Sequence, residues 1–224
     1  MSLVLFQQQK ARCAPPTAAA ASIAALAAVG AWDHWTAEQI ASASSCAVES
    51  VRKFWPALWH ELDARGISDR NVCAAVIGTV AVETASTFCP VREAYYIFDD
   101  EKEALRNGDP TYCNADNEEW RRTHLQTSRY FPYYGRGFIQ LTWNGPDIWN
   151  YRDYGLECNQ KLADTPDLAL QPEVAAAVMA IYFVRRGVAE AARQRDWAKV
   201  RRLVQGGTDG LPHLLQVVSG LGLG

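Results

Sequence analysis

Apolar positions fall at helical spacing from about residue 33 onward. Thr36-Ala37-Glu38-Gln39 reads as a capping box, in which the Thr36 hydroxyl accepts the N3 amide and Gln39 reaches back, opening a helix that runs to about Ser45. A second helix, about Val48 to Arg65, places Val51, Phe54, Trp55, Leu58 and Leu62 on one stripe, with Gly66 as its C-cap and Pro56 marking a kink or a late first turn. Ser68 is expected to cap a third, from about Asp69 to Thr84. Its segment VCAAVIGTVAV is apolar on every side, which predicts a helix buried all round at the centre of the fold. A long excursion from Ile97 to Tyr130 carries two short polar helices, Asp99 to Asn107 and Asn117 to Leu125. Its acids (Asp99, Asp100, Glu101, Glu103, Glu118, Glu119) read as a solvated face. Phe131 to Trp143 is aromatic, β-branched and glycine-punctuated, which predicts a strand or extended segment. Pro172 to Arg186 and Asp196 to Val204 close the pattern, ended by Gly187 and Gly206-Gly207, and Leu211 to Leu221 forms one more helix. The fold class predicted is mainly α with one small β or extended patch.

Composition narrows the picture. With 49% apolar and 21% charged residues the chain is globular, not disordered or collagenous. Its 22 basic residues against 25 acidic ones leave a net charge of −3, which argues against a dedicated nucleic-acid binder. No apolar stretch reaches the length of a membrane-spanning helix. The six cysteines (Cys13, Cys46, Cys73, Cys89, Cys113, Cys158) have no metal-ligand spacing, and the four histidines form no HExxH. Free thiols, no metal and no cofactor are expected. Lys10 and Arg12 followed by PPTAAAASIAALAAVGA copy a weak secretory signal, but a Pro/Ala-rich linker explains the same letters. Residues 1–32 are therefore read as linker or leader and 33–224 as one domain.

The informative chemistry starts where the central helix ends. Glu83 closes its apolar run, so desolvation at the rim of the core is expected to raise its pKa toward that of a general acid. Glu93 follows ten residues later. Along an unbroken helix the two would be ~15 Å apart, but Pro90 breaks the helix, and a fold-back there would return Glu93 to face Glu83. Two carboxylates across a cleft are the minimum machinery for cleaving a glycosidic bond. Aromatics gather here: Tyr95, Tyr96 and Phe98, then Tyr130, Phe131, Tyr133 and Tyr134, as expected either of core or of a sugar-binding groove. In YYGRGFIQLT (133–142) the glycines flanking Arg136 permit close backbone approach. Read as a strand, the segment behind them presents Gln140 and Thr142 on one side, where they could hold a water or an acetamido group.

VAVETAS (80–86), VREAYY (91–96), YYGRGFIQLTW (133–143), NYRDYG (150–155) and PDLAL (166–170) together resemble glycoside hydrolase family 19, in particular its phage-endolysin and bacterial branch. The resemblance runs from about Thr36 to Gly210, and YGRGFIQLT is its most specific part. It implies a lysozyme-like α domain, with a small β patch beside the catalytic cleft, that cleaves β-1,4 links to N-acetylated amino sugars with inversion. By position Glu83 matches the general acid, Glu93 the general base and Thr142 the residue holding the nucleophilic water. Tyr134, Gln140, Asn150 and Tyr96 fall among groove residues, and Arg136 matches an arginine that organises the acidic pair. Two departures stand out: WNGPDIW lengthens the spacing before Asn150, and Gln205-Gly206-Gly207 replaces Asn-Gly-Gly, which puts Gln205 in the groove on a longer arm.

The resemblance implies an endolysin-type hydrolase, expected to be monomeric, made in the cytoplasm and acting on the cell wall, with peptidoglycan as its polysaccharide partner. A chitinase would use the same scaffold and the same acids. A lytic transglycosylase would need only Glu83, and a silent sugar-binding module would need neither acid.

Overall fold

The computed structural model describes residues 34–125, 131–145 and 149–224, and among these ten α-helices and two short strands build the fold. Helix α1 (Ala37–Ser44) opens with the capping box read from the sequence: the Thr36 hydroxyl accepts from the Gln39 amide while the Thr36 amide donates to Gln39 Oε1. Helix α2 (Val48–Ala64) buries the expected stripe of Val51, Phe54, Trp55, Leu58 and Leu62 and runs continuously through Pro56. Helix α3 (Arg70–Glu83) is capped by Asp69, which accepts from the Val72 amide; the Ser68 hydroxyl turns instead to Asp63.

Every residue of α3 from Val72 to Ala81 is buried, so it is the central helix that its all-round apolar sequence predicts. Each fully buried Val or Ile in it contributes roughly 1.5–3 kcal/mol. Three helices that pack on α3 come late in the chain: α8 (Val188–Arg193), α9 (Trp197–Gln205) and α10 (Leu211–Gly220). A Cβ at Gly78 would stand 3.2 Å from Leu214 Cγ, so glycine lets α10 approach closely. Helix α7 (Pro172–Arg185), also apolar on nearly every side, packs on α2.

The remaining elements lie between α3 and α7 in the chain. Helices α4 (Asp99–Arg106) and α5 (Ala115–His124) form the excursion, and α6 (Tyr151–Glu157) follows the glycine-rich segment. Strands β1 (Val91–Arg92) and β2 (Arg136–Gly137) pair antiparallel, Val91 opposite Gly137 and Arg92 opposite Arg136. The molecule is mainly helical with this small open sheet beside the helices.

Four expectations need revision. Phe131 to Trp143 is not one strand: only Arg136–Gly137 pairs as a strand, residues 138–140 turn, and Leu141 bridges back to Arg136. Helices α6 and α8 were not anticipated, and α5 starts two residues early because Asn114 caps it by accepting from the Asn117 amide. The excursion is not simply a solvated face. Glu101 is 2% exposed and takes both arms of the buried Arg121 guanidinium, at 2.8 and 2.5 Å. Asp100 accepts from Asn114, Asn117 and Tyr112, and Glu118 accepts from the Tyr134 hydroxyl, so only Asp99, Glu103 and Glu119 of the six are exposed.

The reading of residues 1–32 lies outside the described residues, as do Tyr130 and residues 146–148. Cys46, Cys73, Cys89, Cys113 and Cys158 are free thiols, and burial pushes the Cys73 thiol up to about 12. Among the described residues no helix is long and apolar enough to cross a membrane, and no group of three or more His, Cys, Asp or Glu could hold a metal ion.

Candidate active site

Glu83 is the last residue of α3, half-buried, and its Oε1 accepts from Arg201 Nη1 at 2.7 Å. Arg201 lies on the buried face of α9 and spends its other donors on the Asp209 carbonyl, at 3.0 and 2.8 Å. A guanidinium committed on both edges in this way is a fixed fork. Gln205, one turn further along α9, is exposed and reaches the same carbonyl at 3.4 Å, which puts it on the Glu83 side of the site.

Past Glu83 the chain reverses, and the turn is made before Pro90. Ala85, Ser86 and Phe88 all adopt left-handed φ angles (48°, 60° and 56°), a conformation that costs each L residue roughly 1–2 kcal/mol. The Ser86 amide donates to the Ala81 carbonyl at 2.8 Å and the Ala85 amide to Val82 at 3.3 Å. These are the two bonds of a Schellman cap, with alanine in the place usually held by glycine. The Thr84 hydroxyl donates to the Val80 carbonyl and accepts from the Phe88 amide, pinning the turn to the helix it leaves. Strained turns of this kind concentrate at functional sites. After β1 the chain passes Glu93, and the Tyr95 hydroxyl then donates to the Thr84 carbonyl at 3.2 Å. The segment after one acid is thereby tied to the residue after the other.

Among the described residues, backbone groups hold Glu93. Its amide donates to the Gly135 carbonyl at 2.7 Å, its Oε2 accepts from the Gly135 amide at 2.7 Å, and its carbonyl accepts from Arg121 Nε at 2.8 Å. A Cβ at Gly135 would stand 2.6 Å from Gln140 Oε1 and 3.1 Å from Glu93 Oε2, so both side chains converge on a space that only glycine leaves open. Gln140 occupies a left-handed turn position (φ 51°), not a strand, and its Nε2 donates to the Val91 carbonyl at 3.1 Å, leaving Oε1 beside Glu93. Thr142 follows Leu141, the partner of Arg136, so register sets it opposite Gly135; it is half-buried. Glu93 and Gln140 are thus gathered around Gly135, with Thr142 next along the chain from the Leu141 bridge.

Other expected site residues support this wall from inside. Arg136 is buried with its guanidinium 3.6 Å above the Tyr134 ring centroid, and its hydrogen bonds go to Asp167, Pro132, Tyr134 and Tyr151. It organises the glycine-rich loop; the guanidinium paired with Glu83 is that of Arg201, not Arg136. Tyr134 is fully buried between Glu118, which accepts a hydrogen bond from its hydroxyl at 2.7 Å, and Arg92, which donates to it at 3.0 Å. It positions the loop instead of lining a groove. Asn150 is fully buried too: it caps α6 by accepting from the Arg152 amide and donates to the Gly145 carbonyl, so a helix cap replaces the expected substrate contact. Tyr96 is 67% exposed, edge-on to Tyr95, and borders a cavity of about 690 Å³ that neither acid lines.

Beneath the loop, Arg92 grips Asp167 with both arms at 2.7 and 3.1 Å, and Arg136 adds a third bond at 2.7 Å. Partial burial works against the Asp167 charge, but the hydrogen bonds and charges of the two arginines outweigh it and hold the carboxyl below its ordinary range.

Sequence reading missed Arg201, Arg121 and Asp167. Arg201 carried a signal: it is a charged residue on the apolar face of its helix, beside Trp197 and Val200. Such an arginine is buried only with a partner. No family model matches the chain, and no curated protein matches it.

Proposed function

We propose that this protein is an inverting glycoside hydrolase of the family 19 type that cleaves β-1,4 bonds between the N-acetylated amino sugars of bacterial peptidoglycan. The observation that carries the reading is the junction at the end of α3, where the Tyr95–Thr84 bond draws the Glu93 segment back to the helix that Glu83 closes. A carboxyl at the end of a rigid helix and a second one docked on a glycine loop suit the division of labour that inversion requires. Glu83 gives its proton to the leaving glycosidic oxygen. Glu93 takes a proton from a water that attacks the anomeric carbon from the opposite face. Inverting pairs stand roughly 6.5–9.5 Å apart to leave room for that water. Gln140 Oε1, which meets Glu93 at Gly135, and the Thr142 hydroxyl are the groups that would orient it. Arg201 keeps the Glu83 side chain aimed and acts as a positioning residue.

The test is mass spectrometry of products from purified peptidoglycan, with colloidal chitin digested in parallel. The expected products are muropeptides ending in an ordinary reducing sugar, with chitin a much poorer substrate. A 1,6-anhydro product would move the protein to the transglycosylases, equal or better release from chitin would make it a chitinase, and no product from either would end the enzymatic reading.

A further inference from the structure

The cavity of about 690 Å³ beside the acids has no role in the chemistry above, yet its size is that of a ligand pocket. It opens where the turn after Glu83 meets the segment after Glu93: Ser86 and Thr87 border it from one, Tyr95 and Tyr96 from the other. Leu105 and Arg106 of α4 also line it. Its wall is therefore part aromatic and aliphatic, part hydroxyl. Two further charges lie there, Lys102 and Asp99, and they neutralise each other in an ion pair at 2.6 Å. Among the described residues no carboxylate comes within ion-pair distance of Arg106, whose Nε rests on the Lys102 carbonyl at 3.3 Å. The pocket thus offers one oriented guanidinium with capacity for an anion, above an apolar floor.

Position and charge together define the occupant. A ligand seated here belongs to whatever chain lies across the acids, since both ends of the acid-bearing turn border the pocket. It carries a carboxylate for Arg106 and small apolar groups for Leu105 and Tyr95. An unbranched polymer of N-acetylglucosamine has no anionic branch. Peptidoglycan has one: the lactyl ether and acidic peptide on every second sugar. Building on the hydrolase reading, we infer that this pocket receives the lactyl-peptide branch of a muramoyl residue and selects peptidoglycan over chitin.

The experiment has a binding arm and a turnover arm. The binding arm titrates the full chain carrying Glu83→Gln with N-acetylmuramoyl-L-alanyl-D-isoglutamine, with N,N′-diacetylchitobiose as the uncharged control. Arg106→Glu in that background should weaken the muramoyl dipeptide by about tenfold or more and leave chitobiose unchanged, while Arg106→Lys retains most of the affinity. The turnover arm compares peptidoglycan with glycol chitin, a soluble N-acetylglucosamine polymer that carries no anionic branch. Arg106→Glu should lower kcat/KM about tenfold on the first and leave the second unaltered. Absence of saturable dipeptide binding, an affinity indifferent to Arg106→Glu, or an equal loss on both polymers overturns the assignment. Dipeptide binding that depends on Arg106 without turnover of either polymer would retain the pocket and remove the hydrolase.

Discussion

Among the described residues the two acids are held by different means. Glu83 stands on a helix buried along nearly its whole length and is aimed by one side chain, Arg201, 118 residues away in sequence. Glu93 stands on irregular chain and takes main-chain bonds from the amide and to the carbonyl of Gly135, with Arg121 on its own carbonyl. The difference shows where each wall is vulnerable. The Glu83 wall is sensitive to the chemistry of a guanidinium. The Glu93 wall is sensitive to volume, because its geometry depends on a missing Cβ. It also makes the excursion a structural buttress, since Arg121 reaches Glu93 only while its other edge is paired with buried Glu101.

The largest effect expected comes from the acids themselves. Glu83→Gln and Glu93→Gln should each reduce kcat by about 10²–10⁴-fold, and the two losses should agree to within about tenfold if both move a proton at one bond. Near-full activity for Glu93→Gln would show that only the helix-borne acid matters. Gly135→Ala comes next. Its Cβ would stand 2.6 Å from Gln140 Oε1, so the loop must shift, and a displacement near 1 Å costs on the order of 10²-fold in kcat. A variant that folds and keeps wild-type turnover would contradict the volume argument.

Asp167→Asn acts on stability. It leaves buried Arg92 and Arg136 without their carboxylate, and because Asp167 is itself about half exposed the loss should be about 2 kcal/mol, below the roughly 3–5 of a fully buried pair. The carboxyl is depressed in the folded state, so its contribution is complete above the unfolded value of about 3.9 and disappears as pH falls through the lower folded value. Thermal melts should therefore separate wild type from Asp167→Asn at pH 7 and converge only in stronger acid. A gap that closes between pH 6 and 8 would assign the effect to another group. The smallest effect is a gain: Ala85→Gly removes a left-handed alanine from the Schellman cap and should stabilise the fold by about 1 kcal/mol in denaturant titration. Destabilisation there would mean that the alanine methyl makes a contact worth more than its strain.

How much could be read in advance depends on the range of each interaction. The Thr36 capping box, the α2 stripe and the all-round apolar α3 depend on neighbours within a turn or two, and all three are found. Helix α6 was hidden because its buried positions, Tyr151, Tyr154 and Gly155, make no aliphatic stripe. The supposed strand at 131–143 failed because its aromatic content reflects packing around Arg136, and nothing local announces left-handed Gln140 and Trp143. Motif and spacing singled out Glu83, Glu93, Gln140 and Thr142, and the structure places Glu93 and Gln140 together at Gly135. Their supports, Arg201 to Glu83 and Arg121 to Glu93, join distant segments, and only Arg201, a charge on the apolar face of its helix, carried a local signal. Asn150 and Tyr134 show the converse: a motif position can serve the scaffold as a cap or a buried ring.

Stereochemistry tests the paired-acid account most directly. Proton NMR of a soluble peptidoglycan fragment, followed from the first seconds of digestion, should show the α-anomer at the new reducing end before mutarotation. Appearance of the β-anomer first would mean that no water is activated across from Glu83, and would contradict the assignment of Glu93 as its base.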